Sequence, residues 1–158
     1  MRIETTRFGT VETPEEEIIR FRSGIIGFPE ERMYVLIPHG TSQVIAWLQS
    51  ATTPELAFPV VSAHGFISDY PDVPLLPIIR RTDVGENPDD LAVLVVMSAP
   101  RNQPATVNLL APLLINSQTR QGAQVFLEGS KYSTRELFVI PKTPEQSSDE
   151  PRAKIAAV

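Results

Sequence analysis

Proline and glycine are spread along almost the whole chain, and this distribution restricts the fold more than any other feature of the sequence. The 158 residues include 15 prolines and 8 glycines, a proline share about twice the roughly 5% average. The longest stretch free of both residue types runs only from Thr41 to Thr53. Because proline interrupts helix interiors, a bundle of long helices is excluded, and we expect mostly short strands and turns.

Short apolar or alternating runs predict the individual strands. Leu91–Ser98 is the strongest of them, continuous and β-branched enough to be buried on both faces. The others are Arg2–Phe8, Ile18–Phe21, Met33–Ile37, Val44–Ser50, Leu56–Val61, Leu75–Arg81, Ala105–Ala111, Leu113–Asn116, Ala123–Glu128 and Leu137–Ile140. Cap-and-proline patterns at Thr13–Glu16 and Thr53–Glu55 predict single helical turns. The expected fold class is mainly β: a small antiparallel domain, a partly open barrel or a sandwich, with a few short helical turns.

The length and the composition of the last residues predict one domain followed by a tail. A chain of 158 residues fits a single domain with a real core. We place that domain at residues 1–141. Residues 142–158 begin with a run rich in proline, serine and charge and lacking aromatic anchors, so we expect them to be disordered.

Charge and cysteine content exclude several classes of protein. The formal net charge is -5, which argues against direct binding of nucleic acid through its phosphates and suits basic partners. With no cysteine, disulfide scaffolds and thiolate chemistry are excluded. The first residues lack the apolar region of a signal peptide, and Leu91–Met97, the most apolar run, is far shorter than the roughly 20 residues of a membrane span. We expect a cytoplasmic protein with no membrane association.

The sequence carries no catalytic or metal-binding pattern. His39 and His64 lie in separate turn regions without a second histidine at ligand spacing. We therefore expect no enzyme activity, no catalytic residue, no metal site and no cofactor. Two alternatives stay open at this point: a hydrolase whose site is assembled in space, and a ligand-binding β-module with Trp47, Tyr70 or Phe66 as its aromatic platform.

The segment 106–116 has the most unusual composition. On a strand, Leu109 and Leu110 point to opposite faces, so either both faces are buried or one offers an apolar strip to a partner. Core burial is the simpler interpretation for most of its leucines. Pro112 cannot donate to a ladder, and such a break is a place where an incoming segment can dock. Asn108 and Asn116 bracket the strip with amides able to fix the ends of that segment.

Six segments together resemble the flagellar assembly factor FliW family, over about the first nine tenths of the chain. The most specific is Val107–Asn116, with its asparagine-leucine-x-alanine-proline core. The other matching parts are Phe21 with Gly24–Phe28, Leu48–Ser50, Leu56–Phe58, Gly122–Val125 and Ser130–Arg135. Ile26 and Ala63 depart from the family pattern, since each stands where the family commonly has proline. These departures affect only the local shape of two loops.

The resemblance implies a barrel-like, non-catalytic protein with two protein partners. It implies binding of newly made flagellin in the cytoplasm and of the RNA-binding translational repressor CsrA, with the two competing. An amphipathic flagellin helix is then expected on the strip near Leu109, Leu110 and Leu113. The candidate partner-binding residues are Asn108, Leu109, Leu110, Ala111, Pro112, Leu113, Ile115, Asn116, Phe58 and Glu55.

Overall fold

The computed structural model describes residues 1–140 and is built mainly from eleven short strands. They are β1 Arg2–Thr5, β2 Gly9–Glu12, β3 Ile19–Phe21, β4 Met33–Pro38, β5 Ile45–Ser50, β6 Ala57–Ser62, β7 Leu91–Ser98, β8 Thr106–Val107, β9 Leu113–Asn116, β10 Gln121–Gln124 and β11 Glu136–Leu137. One short helix, α1, spans Leu76–Ile79, and 3₁₀ turns occupy Glu15–Glu17, Ala63–Gly65 and Pro88–Asp90. The expected tail at 142–158 lies outside the described residues.

Seven of the strands close into a barrel. The order around the ring is β7-β6-β5-β4-β3-β10-β9, and β9 returns to pair with β7. All ring pairs are antiparallel except β3 with β10, which run parallel. The far end of β7 also pairs with β8, and β8 with β11, while β1 and β2 form a separate hairpin. The predicted fold class is confirmed, and the structure adds that the barrel is closed, with one parallel pair.

The core has a layer inside the barrel and another outside it. The interior layer draws on the ring strands and includes Phe21, Tyr34 and Leu113. The outer layer packs irregular segments against the opposite faces of β7 and β9, where Val95 and Leu114 are fully buried. The prediction that Leu91–Ser98 is buried on both faces is confirmed for its central residues, because this strand lies between the two layers.

Three local differences between the predicted strands and the structure have a clear physical reason. Residues 75–81 form α1 and its flanks instead of a strand, since Pro77 lies in the first helical turn, where its missing N–H is not needed. The strand β2 was not predicted, and its only half-buried residue, Val11, gives little apolar signal. Residues 123–128 also do not form one strand, because β10 starts at Gln121 and ends at Gln124.

Candidate protein-binding groove

The apolar strip at 106–116 is not open to a partner. Leu109 is 4% exposed and Leu113 is fully buried, and Ala111, Pro112 and Ile115 are buried as well. Leu110 is half-buried. These side chains belong to the two core layers because both faces of β9 are covered. The expectation that a helix lies on Leu109 and Leu113 is therefore wrong for the folded protein, and core burial is the correct interpretation.

The two asparagines of the strip hold the protein's own loops. The Asn108 Oδ1 atom accepts a 3.0 Å hydrogen bond from the Ala111 N–H and so closes the turn that leaves β8. The Asn116 side chain is buried, its Nδ2 donates to the Val84 carbonyl at 2.8 Å, and its Oδ1 accepts the Gln118 and Thr119 N–H groups. Asn116 thus uses both ends of its buried amide within the protein.

The strand break at Pro112 is already filled by the chain itself. The Pro112 carbonyl accepts from the Val125 N–H at 3.1 Å, and the Leu110 carbonyl accepts from the Leu127 N–H at 2.9 Å. The segment after β10 thus occupies the position expected for an incoming chain. This follows from the requirement that buried backbone polar groups be paired.

An apolar groove of about 300 Å³ lies beside the strip. Its lining includes three of the sequence-predicted residues, Phe58, Asn108 and Ala111, and does not include Glu55, which is exposed in the turn before β6. The remaining lining residues are Ile25, Ile26, Val96, Met97, Ser98, Thr106, Gln124, Phe126 and Thr134. We call this surface the groove.

Two large apolar residues of the groove face solvent, and the sequence interpretation missed both as site residues. Phe126 is 52% exposed and Ile26 is 54% exposed. Val125 and Leu127 are buried on either side of Phe126, so the alternation of this segment could have identified an outward-pointing aromatic ring. Ile26 is one of the two positions at which the chain departs from the pattern that it resembles, and its side chain contributes apolar surface to the groove.

Gln124 ties the two walls of the groove together. Its Oε1 accepts the Ile26 N–H at 2.8 Å, and its Nε2 donates to the Ala111 carbonyl at 3.0 Å. The loop that carries Ile26 is set by Gly24, whose φ is +68° and whose added Cβ would lie 2.5 Å from the Phe28 carbonyl oxygen. Only glycine fits that position. The groove wall is therefore held in place before any partner binds.

The anchor of this loop is Ile25 and not Phe28. Ile25 is buried in the barrel interior, whereas Phe28 is 39% exposed and packs edge-on against Phe58 with ring centroids 5.3 Å apart. Phe28 is therefore too exposed to fix the loop to the core. The Phe28 ring instead covers one side of Phe58, which lines the groove.

The chemistry available in the groove is that of binding. Among the described residues, its lining has no ionisable side chain, so it lacks an acid, a base or an activated nucleophile. The Asn108 and Gln124 amides supply polar groups beside the apolar surface. Within residues 1–140, no group of three His, Asp or Glu side chains is arranged to hold a metal ion, and no helix is long and apolar enough to cross a bilayer.

The residues named for a ligand-binding module do not form an open platform. The guanidinium of Arg7 lies 4.0 Å from the centroid of the Trp47 ring, and the Trp47 Nε1 donates to the His39 Nδ1 at 3.2 Å. Tyr70 is buried, and Phe66 packs against Phe138 with centroids 4.9 Å apart. Each of the three rings is thus covered at least in part by a neighbouring side chain or by burial.

Comparison with known proteins gives a consistent family. The family model described as "FliW protein" matches residues 2–138. The "Flagellar assembly factor FliW" of Heliobacterium modesticaldum is 41% identical over 137 residues, covering 85% of this chain and 88% of that protein. Its counterpart in Desulfitobacterium hafniense strain DSM 10664 / DCB-2 is 35% identical over 151 residues, covering 95% of this chain and 98% of that protein. A crystal structure of the flagellar assembly factor FliW has a TM-score of 0.76 at 30% identity, covering 87% of this chain and 96% of that chain.

Proposed function

The chain belongs to the FliW family of flagellar assembly factors, and from this membership we propose a non-enzymatic cytoplasmic protein that binds flagellin and antagonises the translational repressor CsrA. In this scheme the two partners compete for the factor. Flagellin accumulation releases the repressor, and export of flagellin sequesters it again. Flagellin synthesis is thereby coupled to export, since occupancy by one partner lowers the apparent affinity of the other.

The observation that carries the flagellin part of the proposal is the pair of exposed apolar side chains at the groove. Phe126 and Ile26 are each more than half exposed beside the half-buried Phe58. Clustered exposed apolar residues in a preformed depression are typical of a protein-binding site. The occupant we propose is the apolar face of an amphipathic flagellin helix, which would bury these side chains.

The groove also supplies the polar contacts that such a helix end needs. Asn108 lines the groove, and its side chain uses only the Oδ1 atom on Ala111. Phe58, Asn108 and Ala111 thus remain candidate partner-binding residues, and the buried residues of the strip support them from beneath. Glu55, outside the groove, has no part in this site.

The groove is tested with purified flagellin and a Phe126→Ser variant. Replacing an exposed aromatic anchor should lower flagellin affinity at least about tenfold if Phe126 is a binding hot spot, while the melting temperature stays near that of the wild type. Leu76→Ser is the matched control, because Leu76 is 37% exposed and does not line the groove. Equal flagellin affinity for the wild type and both variants would contradict the proposal.

Competition with the repressor is tested on the preformed complex with CsrA. Added flagellin should displace CsrA from the wild-type protein in a concentration-dependent manner. The Phe126→Ser variant should still bind CsrA at flagellin concentrations that displace CsrA completely from the wild type. A ternary complex with undiminished affinity for both partners would rule out competition.

A further inference from the structure

Three arginines line one depression on the surface, although the chain as a whole is acidic. Arg20, Arg22 and Arg32 surround a space of about 530 Å³ together with a single carboxylate, that of Asp83. Asp83 accepts a 2.9 Å ion-pair hydrogen bond from Arg22, and both side chains are largely solvent-exposed. Such an exposed pair contributes little to stability, so a carboxylate of a partner could replace Asp83 at low cost.

The barrel wall creates this depression where its parallel strands separate. The ladder between β3 and β10 contains only two residue pairs, Gln121 with Arg20 and Gly122 with Phe21. Arg22 follows the end of β3, while β10 continues to Gln124 on its pairing with β9. Residues 81–83 lie across the resulting gap.

The same gap adjoins the groove at Gln124. A second depression, of about 200 Å³, is lined by Arg22, Asp83 and Gln124 and by a further cation, Arg81. It shares Arg22 and Asp83 with the three-arginine depression and shares Gln124 with the groove. We call the two arginine-bearing depressions the trough. The uncharged groove and the basic trough are thus neighbours that share Gln124, and a segment bound across both would follow a path from apolar to basic lining.

We infer that the segment which fills the groove continues into the trough and places carboxylates on Arg22 and Arg81. This inference rests on the proposed function, because it describes the flagellin segment that the groove would bind. The guanidinium groups match carboxylates in geometry and can bind them through paired hydrogen bonds. The partner segment is therefore apolar at one end and acidic at the other, and the trough fixes its direction on the protein.

Charge and continuity favour an acidic protein segment over a nucleic acid. Nucleic acid binding depends on many cations along successive phosphates, whereas the chain has a net charge of -5 and the groove at the end of the trough has no charged lining residue. One or two carboxylates next to apolar side chains match both parts of the path.

The test uses flagellin binding by an Arg22→Gln/Arg81→Gln variant at several salt concentrations. Affinity should fall about five- to tenfold at low salt, and the difference from the wild type should shrink from roughly 50 to 300 mM salt as the charges are screened. Arg2→Gln/Arg101→Gln is the control, because it removes the same charge from exposed positions outside both depressions. Melting curves establish that both variants are folded.

The outcomes separate this inference from the proposed function. If Phe126→Ser weakens flagellin binding and Arg22→Gln/Arg81→Gln does not, binding in the trough is contradicted, while binding in the groove is supported. If Phe126→Ser also has no effect, the proposed function and the inference fail together. If the arginine variant binds flagellin normally but loses CsrA, or if its loss of flagellin affinity does not shrink with rising salt, the inference is likewise overturned. An equal loss of flagellin affinity in Arg2→Gln/Arg101→Gln would show that the effect comes from net charge alone, which would contradict specific binding in the trough.

Discussion

The Tyr70 hydroxyl donates a 2.6 Å hydrogen bond to the backbone carbonyl of Leu109. Tyr70 comes from the irregular segment between β6 and α1, and Leu109 is in the most specific part of the family motif, so this bond joins two distant parts of the chain. The Leu109 and Leu110 N–H groups both donate to the Ser133 carbonyl at 3.1 Å. The motif therefore organises the outer core layer.

Two tyrosines with opposite hydrogen-bonding states give the first prediction. Tyr70→Phe should lower the free energy of unfolding by about 1–2 kcal/mol, because it leaves the buried Leu109 carbonyl without that donor. Tyr34→Phe should be neutral or slightly stabilising. The buried Tyr34 hydroxyl has no hydrogen-bond partner among residues 1–140, so the substitution removes an unpaired polar group from the core. Chemical denaturation of both variants measures the difference. Equal destabilisation by the two substitutions would contradict this account.

The sequence was sufficient for the fold class and insufficient for the site, and the strip at 106–116 explains why. Proline spacing and the apolar run at 91–98 depend on local chemistry, so they predicted short strands and a doubly buried β7 correctly. Whether Leu113 faces solvent depends on closure of the barrel, which surrounds it with residues from distant strands such as Phe21 and Tyr34. No local pattern contains that information.

The groove was beyond prediction for the same reason. Its walls combine Ile26, Phe58, Asn108 and Phe126, which come from four separate segments brought together by closure of the barrel. The prediction found Asn108 from its place at the end of the strip and Phe58 through the family resemblance. It missed the exposed apolar side chains of Ile26 and Phe126 because it followed leucine content instead of alternation.

The contact between Gly122 and Phe21 gives a second prediction. A Cβ atom at Gly122 would lie 2.8 Å from the Phe21 ring, and that ring is fully buried in the barrel interior. Gly122→Ala should therefore destabilise the protein by about 1–3 kcal/mol through overpacking. Thermal unfolding is the measurement. The double variant Phe21→Leu/Gly122→Ala should lose less stability than the sum of the losses of the two single variants. Strict additivity of the two losses would show that the clash is absent.

Glu31 provides a pH-dependent prediction. Hydrogen bonds from the hydroxyls of Thr53, Ser50 and Thr52 lower the pKa of Glu31 below its usual value, against the opposing effect of burial. A lowered folded-state pKa contributes stability above the unfolded-state pKa, and this contribution is lost as the pH falls through the folded-state value. Glu31→Gln should lower the free energy of unfolding by about 1 kcal/mol at neutral pH. The value is modest because water screens this partly exposed site.

Urea unfolding at a series of pH values measures the Glu31 contribution. The difference between the wild type and Glu31→Gln should shrink as the pH falls below about 4. Glu30→Gln is the matched control, since Glu30 is exposed and the substitution removes the same charge one position away. A difference that stays constant down to pH 2 would mean that the carboxylate charge is not the source of the effect.

The last prediction concerns the rate at which CsrA associates. The acidic net charge of -5 should attract a basic RNA-binding partner over long distances, which accelerates encounter more than it strengthens the bound complex. Stopped-flow measurements should therefore show an association rate that falls steeply between low and physiological salt, with a dissociation rate that changes little. Neutralising the exposed 3₁₀ turn with Glu15→Gln/Glu16→Gln/Glu17→Gln removes three negative charges and should slow association further. If the association rate is insensitive to salt and to this triple variant, the charge has no steering role, and CsrA recognition depends on short-range contacts.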